Sequence, residues 1–185
     1  MWNIKFKKKE DSQMYKFSNF IVMGLVSVFV FGCATVQRGP DWTIKGGGAF
    51  KKDEGRVFYG VGRASNDIKD KALRIETADN RARADLQRIF DTYTGYLMKD
   101  YQGQDGQLIE RACKTFAAGH LSGVEIVDHY TDSDGTVHAL AKLNLETFKK
   151  AMELAKELSD AAREQIRKRS DAMFEQLEKE EQKQK

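Results

Sequence analysis

Proline is nearly missing from this chain: Pro40 is the single one among 185 residues. Proline interrupts helix interiors and central strands, so its scarcity excludes a proline-rich or collagen-like chain and leaves room for long helices. Cysteine is almost as rare, with only Cys33 and Cys113, which excludes a disulfide-stapled scaffold. Long hydrophobic runs are absent too. The longest uncharged apolar stretch, residues 20–31 (FIVMGLVSVFVF), reaches about 18 Å as a helix, well short of the roughly 30 Å hydrocarbon core. A polytopic membrane protein is therefore excluded. Excess charge is also missing from the body of the chain. The formal net charge is +3, and Lys5, Lys7, Lys8, Lys9 and Lys16 against Glu10 and Asp11 account for all of it. Beyond residue 32 basic and acidic side chains are equal in number, so the pI near 8.7 is no footprint of nucleic-acid binding and no nucleic-acid partner is expected.

What is there begins with an export signal. The Lys-rich start, the apolar run 20–31, and then Gly32, Cys33 and Ala34 reproduce the basic, apolar and small-residue regions of a secretory signal. The stretch ahead of the run is long for such a region, and a start at Met14 in place of Met1 gives an ordinary one. The run ends in Val30-Phe31-Gly32-Cys33, which resembles the lipobox of bacterial lipoproteins. That resemblance implies cleavage between Gly32 and Cys33 and acylation of Cys33. A lipoprotein carries more than one acyl chain, and each buried methylene adds about 0.8 kcal/mol, so the anchor is stable without a spanning helix. Ala34 and Thr35 after the cysteine are not the Asp that commonly retains such proteins in the inner membrane, which implies the outer membrane. Cys113, left as the only thiol, reads as a buried small hydrophobe in a helix.

The rest divides by composition and periodicity. Residues 33–53, with Arg38-Gly39-Pro40 and Gly46-Gly47-Gly48, read as a lipidated tether with a short strand near its end. Residues 54–145 read as an α+β domain and residues 146–185 as a charged C-terminal helix. Within the domain Val57, Tyr59 and Val61 alternate with Phe58, Gly60 and Gly62, which predicts a strand whose glycines leave room for close packing. From Asn66 to about Met98 the stripe Ile75, Ala78, Ala82, Leu86, Ile89, Tyr93 and Leu97 predicts one long helix. Arg74, Arg81, Arg83 and Arg88 between those positions read as its solvated face. A second helix is predicted over 107–118, then a hairpin of 124–131 and 136–144 with Thr131 facing Thr136, His129 facing His138 and Val127 facing Leu140. Asp128 is then the one polar residue on the core face.

The expected fold is a small antiparallel sheet of about three strands backed by a long helix, in the order β-α-α-β-β-α. A continuous C-terminal helix from Glu146 to about Glu181 then projects beyond the domain. Its stripe includes Phe148, Met152, Ile166, Met173 and Leu177, broken at Arg169 and Ser170; the region reads as a frayed, charged tail or else as a candidate surface for a partner or a second copy. Truncation after Ser159 is expected to leave the domain folded.

No constellation for chemistry stands out, and an enzyme is not expected. Gly60-Val61-Gly62 mimics the start of a dinucleotide fingerprint, but Ser65 replaces its third small residue. His129 opposite His138 is the only metal-like pairing, short of the three or four ligands a zinc site wants. No nucleophile motif occurs. Catalytic, metal and cofactor residues are accordingly none.

Pro40-Asp41-Trp42, Phe58-Tyr59-Gly60-Val61-Gly62-Arg63-Ala64, Ala78-Asp79-Asn80-Arg81-Ala82-Arg83-Ala84-Asp85-Leu86, and Val127-Asp128-His129-Tyr130 followed by Asp134-Gly135-Thr136-Val137-His138-Ala139-Leu140 occur in that order. Together they resemble the Lpp-twenty family of small bacterial surface lipoproteins over residues 33 to 150. His138 stands where that family more often has Tyr, and the C-terminal helix lies outside the pattern. The resemblance implies a lipid-anchored α+β envelope protein with no catalytic residues to carry over. Its expected role is structural or in assembly, through contacts with other envelope proteins or with itself, and association with the flagellum is one form of it. The alternative is a regulatory module that contacts peptidoglycan or its synthases.

Overall fold

The computed structural model describes residues 39–99, 101 and 103–184. The expected signal 1–32, the cleavage and lipidation positions Gly32 and Cys33, and the starts Met1 and Met14 lie outside the described residues. Among the described residues no helix is long and apolar enough to cross a membrane. Gly39–Lys185 forms one compact unit.

That unit runs α1 (Asp41–Lys45), β1 (Gly48–Lys52), β2 (Gly55–Ala64), α2 (Lys71–Met98), α3 (Gly103–His120), a 3-10 turn (Leu121–Gly123), β3 (Ile126–Thr131), β4 (Val137–Asn144), α4 (Leu145–Leu154) and α5 (Asp160–Gln184). It is an α+β fold with a four-stranded antiparallel sheet in the order β1-β2-β4-β3. The expected three strands and β-α-α-β-β-α order are corrected by α1 and by β1, which lies where a short strand is expected near the end of the tether and joins the sheet as its fourth member. Gly46 (φ 72°) and Gly48 (φ 149°) turn the backbone between α1 and β1 through conformations that L side chains rarely adopt.

One face of the sheet carries the core. Phe58, Ala64, Val137, Ala139, Ala141 and Leu143 meet the Ala78, Ala82, Leu86, Ile89, Tyr93 and Leu97 stripe of α2. Gly60 and Gly62 make the approach close. A Cβ at Gly62 would stand 1.9 Å from the Ala78 carbonyl oxygen, and one at Gly60 2.2 Å from that of Ala82. The glycines therefore lie under the middle turns of α2, not at its N-terminus, which begins at Lys71 with Asp70 accepting from the Leu73 N–H at 3.0 Å. The helix starts five residues later than its periodicity suggests, because Ser65 to Asp70 form the connection that carries the cap. Phe58, Phe90, Tyr93, Phe116, Phe148 and Phe174 complete the interior as an aromatic cluster, with Phe58 and Phe174 centroids 5.0 Å apart. Such pairs add about 0.5–1.5 kcal/mol each beyond area burial.

The arginines of α2 are not simply solvated. Arg74 donates to the carbonyls of Ile68 (2.9 Å) and Gly135 (2.6 Å), Arg81 to that of Arg63 and Arg83 to that of Val124. Each fastens a loop or strand end to the helix.

The C-terminal region departs most from expectation. It is two helices, parted at 155–159, and it folds back on its own domain. Phe148 is 0% exposed, Met152 3%, Ile166 1% and Leu177 3%, with Met173 partly buried beside them. The stripe offered to a partner is thus this chain's own core, joined by Phe174 at 0%. The apparent interruption is bonded as well. Ser170 donates to the Ile166 carbonyl at 2.6 Å and its own carbonyl accepts from the Tyr93 hydroxyl, while Arg169 lies over the Tyr101 ring.

Candidate binding face

The hairpin decides which side chains reach the outer face of the sheet. Asp132, Ser133, Asp134 and Gly135 turn the chain as expected, with Gly135 at φ 84°. Thr136 belongs to this turn too, its N–H and hydroxyl both donating to Asp134 (2.9 and 3.1 Å), which holds the Asp134 carboxyl below its ordinary range. Thr131 therefore pairs with Val137, Tyr130 with His138, His129 with Ala139 and Asp128 with Leu140. The expected pairing of His129 with His138 is corrected by this one-residue slip, which places the two rings on opposite faces. A bulge between Ile126 and Asp128 absorbs Val127, so that Ile126 still packs toward the core while Asp128 turns outward. The polar misfit of the alternation pattern is resolved by that extra residue.

On the outer face, Asp128 accepts from the indole N–H of Trp42 at 2.9 Å. Trp42 in turn meets His138 edge-on, with ring centroids 6.4 Å apart. His138, 7% exposed, bonds through Nε2 to Asp132 at 2.7 Å and is flanked by Tyr130 at 6.1 Å. Gly39 makes room for Tyr130, since a Cβ there would stand 2.5 Å from the ring. Two distant motifs, Pro40-Asp41-Trp42 and Val127-Asp128-His129-Tyr130, thereby become one aromatic layer. Beside it lies a slot of about 290 Å³ lined by Trp42, Phe50, Tyr59 and Leu140, with Lys52 and the Asp41–Lys45 pair (3.0 Å) also on its wall. Phe50 and Tyr59 are 5.9 Å apart and Lys52 sits over Phe50. The Tyr59 hydroxyl donates to Glu54, which also pairs with Lys142. Lys142 holds the Glu54 carboxyl below its ordinary value, and burial raises the Tyr59 hydroxyl. A slot of this kind offers flat apolar surfaces edged by charges of both signs, suited to a small ring or a side chain of a partner. Phe50 and Lys52 lie on the short strand expected at the end of the tether, but nothing local showed that this strand joins the sheet and turns them to its outer face.

On the other face, His129 bonds to Asp79 of α2 at 2.6 Å, tying the edge strand to the helix. A second groove of about 580 Å³ separates α2 from α3 and includes Cys113. Burial pushes that thiol up to about 12, so it is an inert packing residue. Among the described residues no group of three or more His, Cys, Asp or Glu is placed to hold a metal ion. Comparison with protein-family models, with curated proteins and with solved structures gives no match for this chain.

Proposed function

We propose that this chain is a lipid-anchored envelope protein, held at the outer membrane through acyl chains on Cys33, that acts by protein–protein contacts in a structural or assembly role and not by turnover. The observation that carries the reading is the placement of Val30-Phe31-Gly32-Cys33 directly after an apolar export run and six positions ahead of Gly39, where the folded unit begins. Six residues extend at most about 20 Å, so a lipid on Cys33 keeps the domain against its membrane. The ordered motifs resembling Lpp-twenty lipoproteins support the same role, including service around the flagellum. The aromatic slot beside Trp42 favours a second reading, in which the face contacts peptidoglycan or one of its synthases.

Metabolic labelling with a palmitate analogue tests the anchor. Cys33→Ala is expected to abolish the label and to remove the protein from the outer-membrane fraction; an equally labelled variant overturns the reading. In the same preparations, sedimentation with purified cell wall that is lost in Trp42→Ala favours the second reading over the first.

A further inference from the structure

The bend at 155–159 has no sequence breaker. From Leu145 to the end of the chain there is neither Gly nor Pro, and Ala155, Lys156, Glu157 and Leu158 are strong helix formers. A few contacts close it. Leu158 N–H donates to the Ala155 carbonyl (3.2 Å), Ser159 Oγ accepts from the Ala162 N–H (3.1 Å), and Arg163 reaches back to the Ala155 carbonyl (2.9 Å). The closure is imperfect. Nε of Arg163 is buried without a hydrogen-bond partner, as is Nε of Arg56, the β2 residue that pairs with α5. Such unpaired buried donors are unfavourable wherever they occur.

A second feature converges on the same five residues. Leu154, at 80%, is more exposed than Ile44, Leu73 or Val127, the other exposed large apolar side chains of the described residues. Ala161 is exposed as well. If the hinge straightens, Leu145 to Gln184 becomes one helix about 60 Å long. Ala151, Leu154, Leu158 and Ala161 then recur at spacings of 3, 4 and 3, the seam pattern of paired helices. In the bent form the stripe is split, with Leu158 turned into the core at 4% exposed.

We propose that two copies of this chain exchange α5: the 155–159 hinge straightens, each α5 docks on the other copy's β1 and α2, and the two hinges pair antiparallel through Leu154 and Leu158. The contacts of α5 with β1 and α2 are kept, in trans, while the Arg163 bond to the Ala155 carbonyl and the core contact of Leu158 are exchanged for the straight helix and the new seam. The new contact is isologous and closes on itself, giving a dimer and not a filament. Exchange holds whether or not Cys33 carries lipid.

The full chain in detergent, over a range of concentrations, tests this by light scattering on a sizing column. Ser159→Ala removes the cap that the bent form uses, worth about fivefold per hinge. With two hinges per dimer, the association constant rises about twenty-five-fold. Leu154→Glu leaves the monomer folded, because the side chain is already in solvent, and removes the dimer by placing charge in the seam. Lys156→Pro fits the bent turn, whose second residue favours proline, and forbids the straight helix; it is expected to be monomeric throughout. Dimer topology is read from Lys51→Cys with Glu178→Cys, positions that neighbour each other because the Lys51 backbone N–H donates to the Glu178 carboxylate at 3.0 Å. A short bis-maleimide links two chains of the dimer on a denaturing gel, whereas in the monomer it links none. Wild type and Ser159→Ala that stay monomeric, dimers that survive Leu154→Glu or Lys156→Pro, or a dimer cross-linked only within chains, each overturn the proposal.

Discussion

The sheet is held by helices at two seams of opposite character. Along β2 the contact with α2 is steric: glycine faces alanine, backbone lies on backbone, and Asp85 takes the Val61 N–H at 3.0 Å beyond the end of β1. Along β1 the contact with α5 has a rim of charge. Glu181 accepts from the Ala49 N–H (2.7 Å), Glu178 from the Lys51 N–H (3.0 Å), and Arg56, at the start of the neighbouring β2, pairs with Glu175 (2.7 Å) and Asp171 (3.5 Å). The first seam is specified by volume and answers to a single methyl group. The second satisfies the free N–H groups of an edge strand, which otherwise invite another strand, and it answers to protonation. A helix that covers an edge with carboxylates can be released in a way that one wedged onto glycines cannot.

Even so, α5 adds its own apolar anchor behind that rim, and removing the anchor has the largest effect. Phe174→Ala leaves a void among Phe58 and its neighbours and is expected to cost about 3–5 kcal/mol, read as a lowered urea midpoint. Truncation after Ser159 takes away Ala162, Ile166, Phe174 and Leu177 together and should abolish cooperative unfolding, contrary to what the sequence pattern alone suggests. A truncated chain with the wild-type transition would return α5 to the role of an appendage.

The steric seam is sharpened by moving one methyl group between two sites on its elements. Gly62→Ala drives Cβ into the α2 backbone and is expected to cost about 2–3 kcal/mol through overpacking. Gly95→Ala, on the same helix where nothing lies within 4 Å of the added carbon, is expected to gain about 0.5–1 kcal/mol from helix propensity. Equal changes at both positions in chemical denaturation would show that α2 does not rest on the glycines.

Why some of this was legible follows from what periodicity encodes. The α2 stripe, the β2 alternation and the hairpin turn are local patterns, and each element appears close to where its residues indicate. Register and docking are not local. The one-residue slip arises because Thr136 joins the turn through Asp134, and the bulge at Val127 then restores the core face for Ile126. An apolar stripe at 166, 173 and 177 looks the same whether it faces its own domain or another molecule. With no Gly or Pro at 155–159, only tertiary contacts reveal the bend. At the candidate face, Trp42 and Asp128 are 86 residues apart, and their meeting required α1, which nothing in the tether's composition indicated.

The charged rim makes the smallest and most specific difference. Arg56 holds the Glu175 carboxyl below its ordinary value of 4.5. A carboxyl whose value is lowered by folding contributes stability that is present above about pH 4.5 and fades as the pH falls through its folded value. Glu175→Gln should therefore be slightly less stable than wild type at pH 7, by an amount kept small because the pair is open to solvent. The gap in urea midpoint should close as the pH drops below 4.5, and also narrow in high salt. Arg56→Met should erase the pH dependence of that gap, because Arg56 is the cation that Glu175 pairs with. A gap that does not change with pH or salt would mean that Glu175 and Arg56 add no charge pairing to this seam, and the contrast between the seams would vanish.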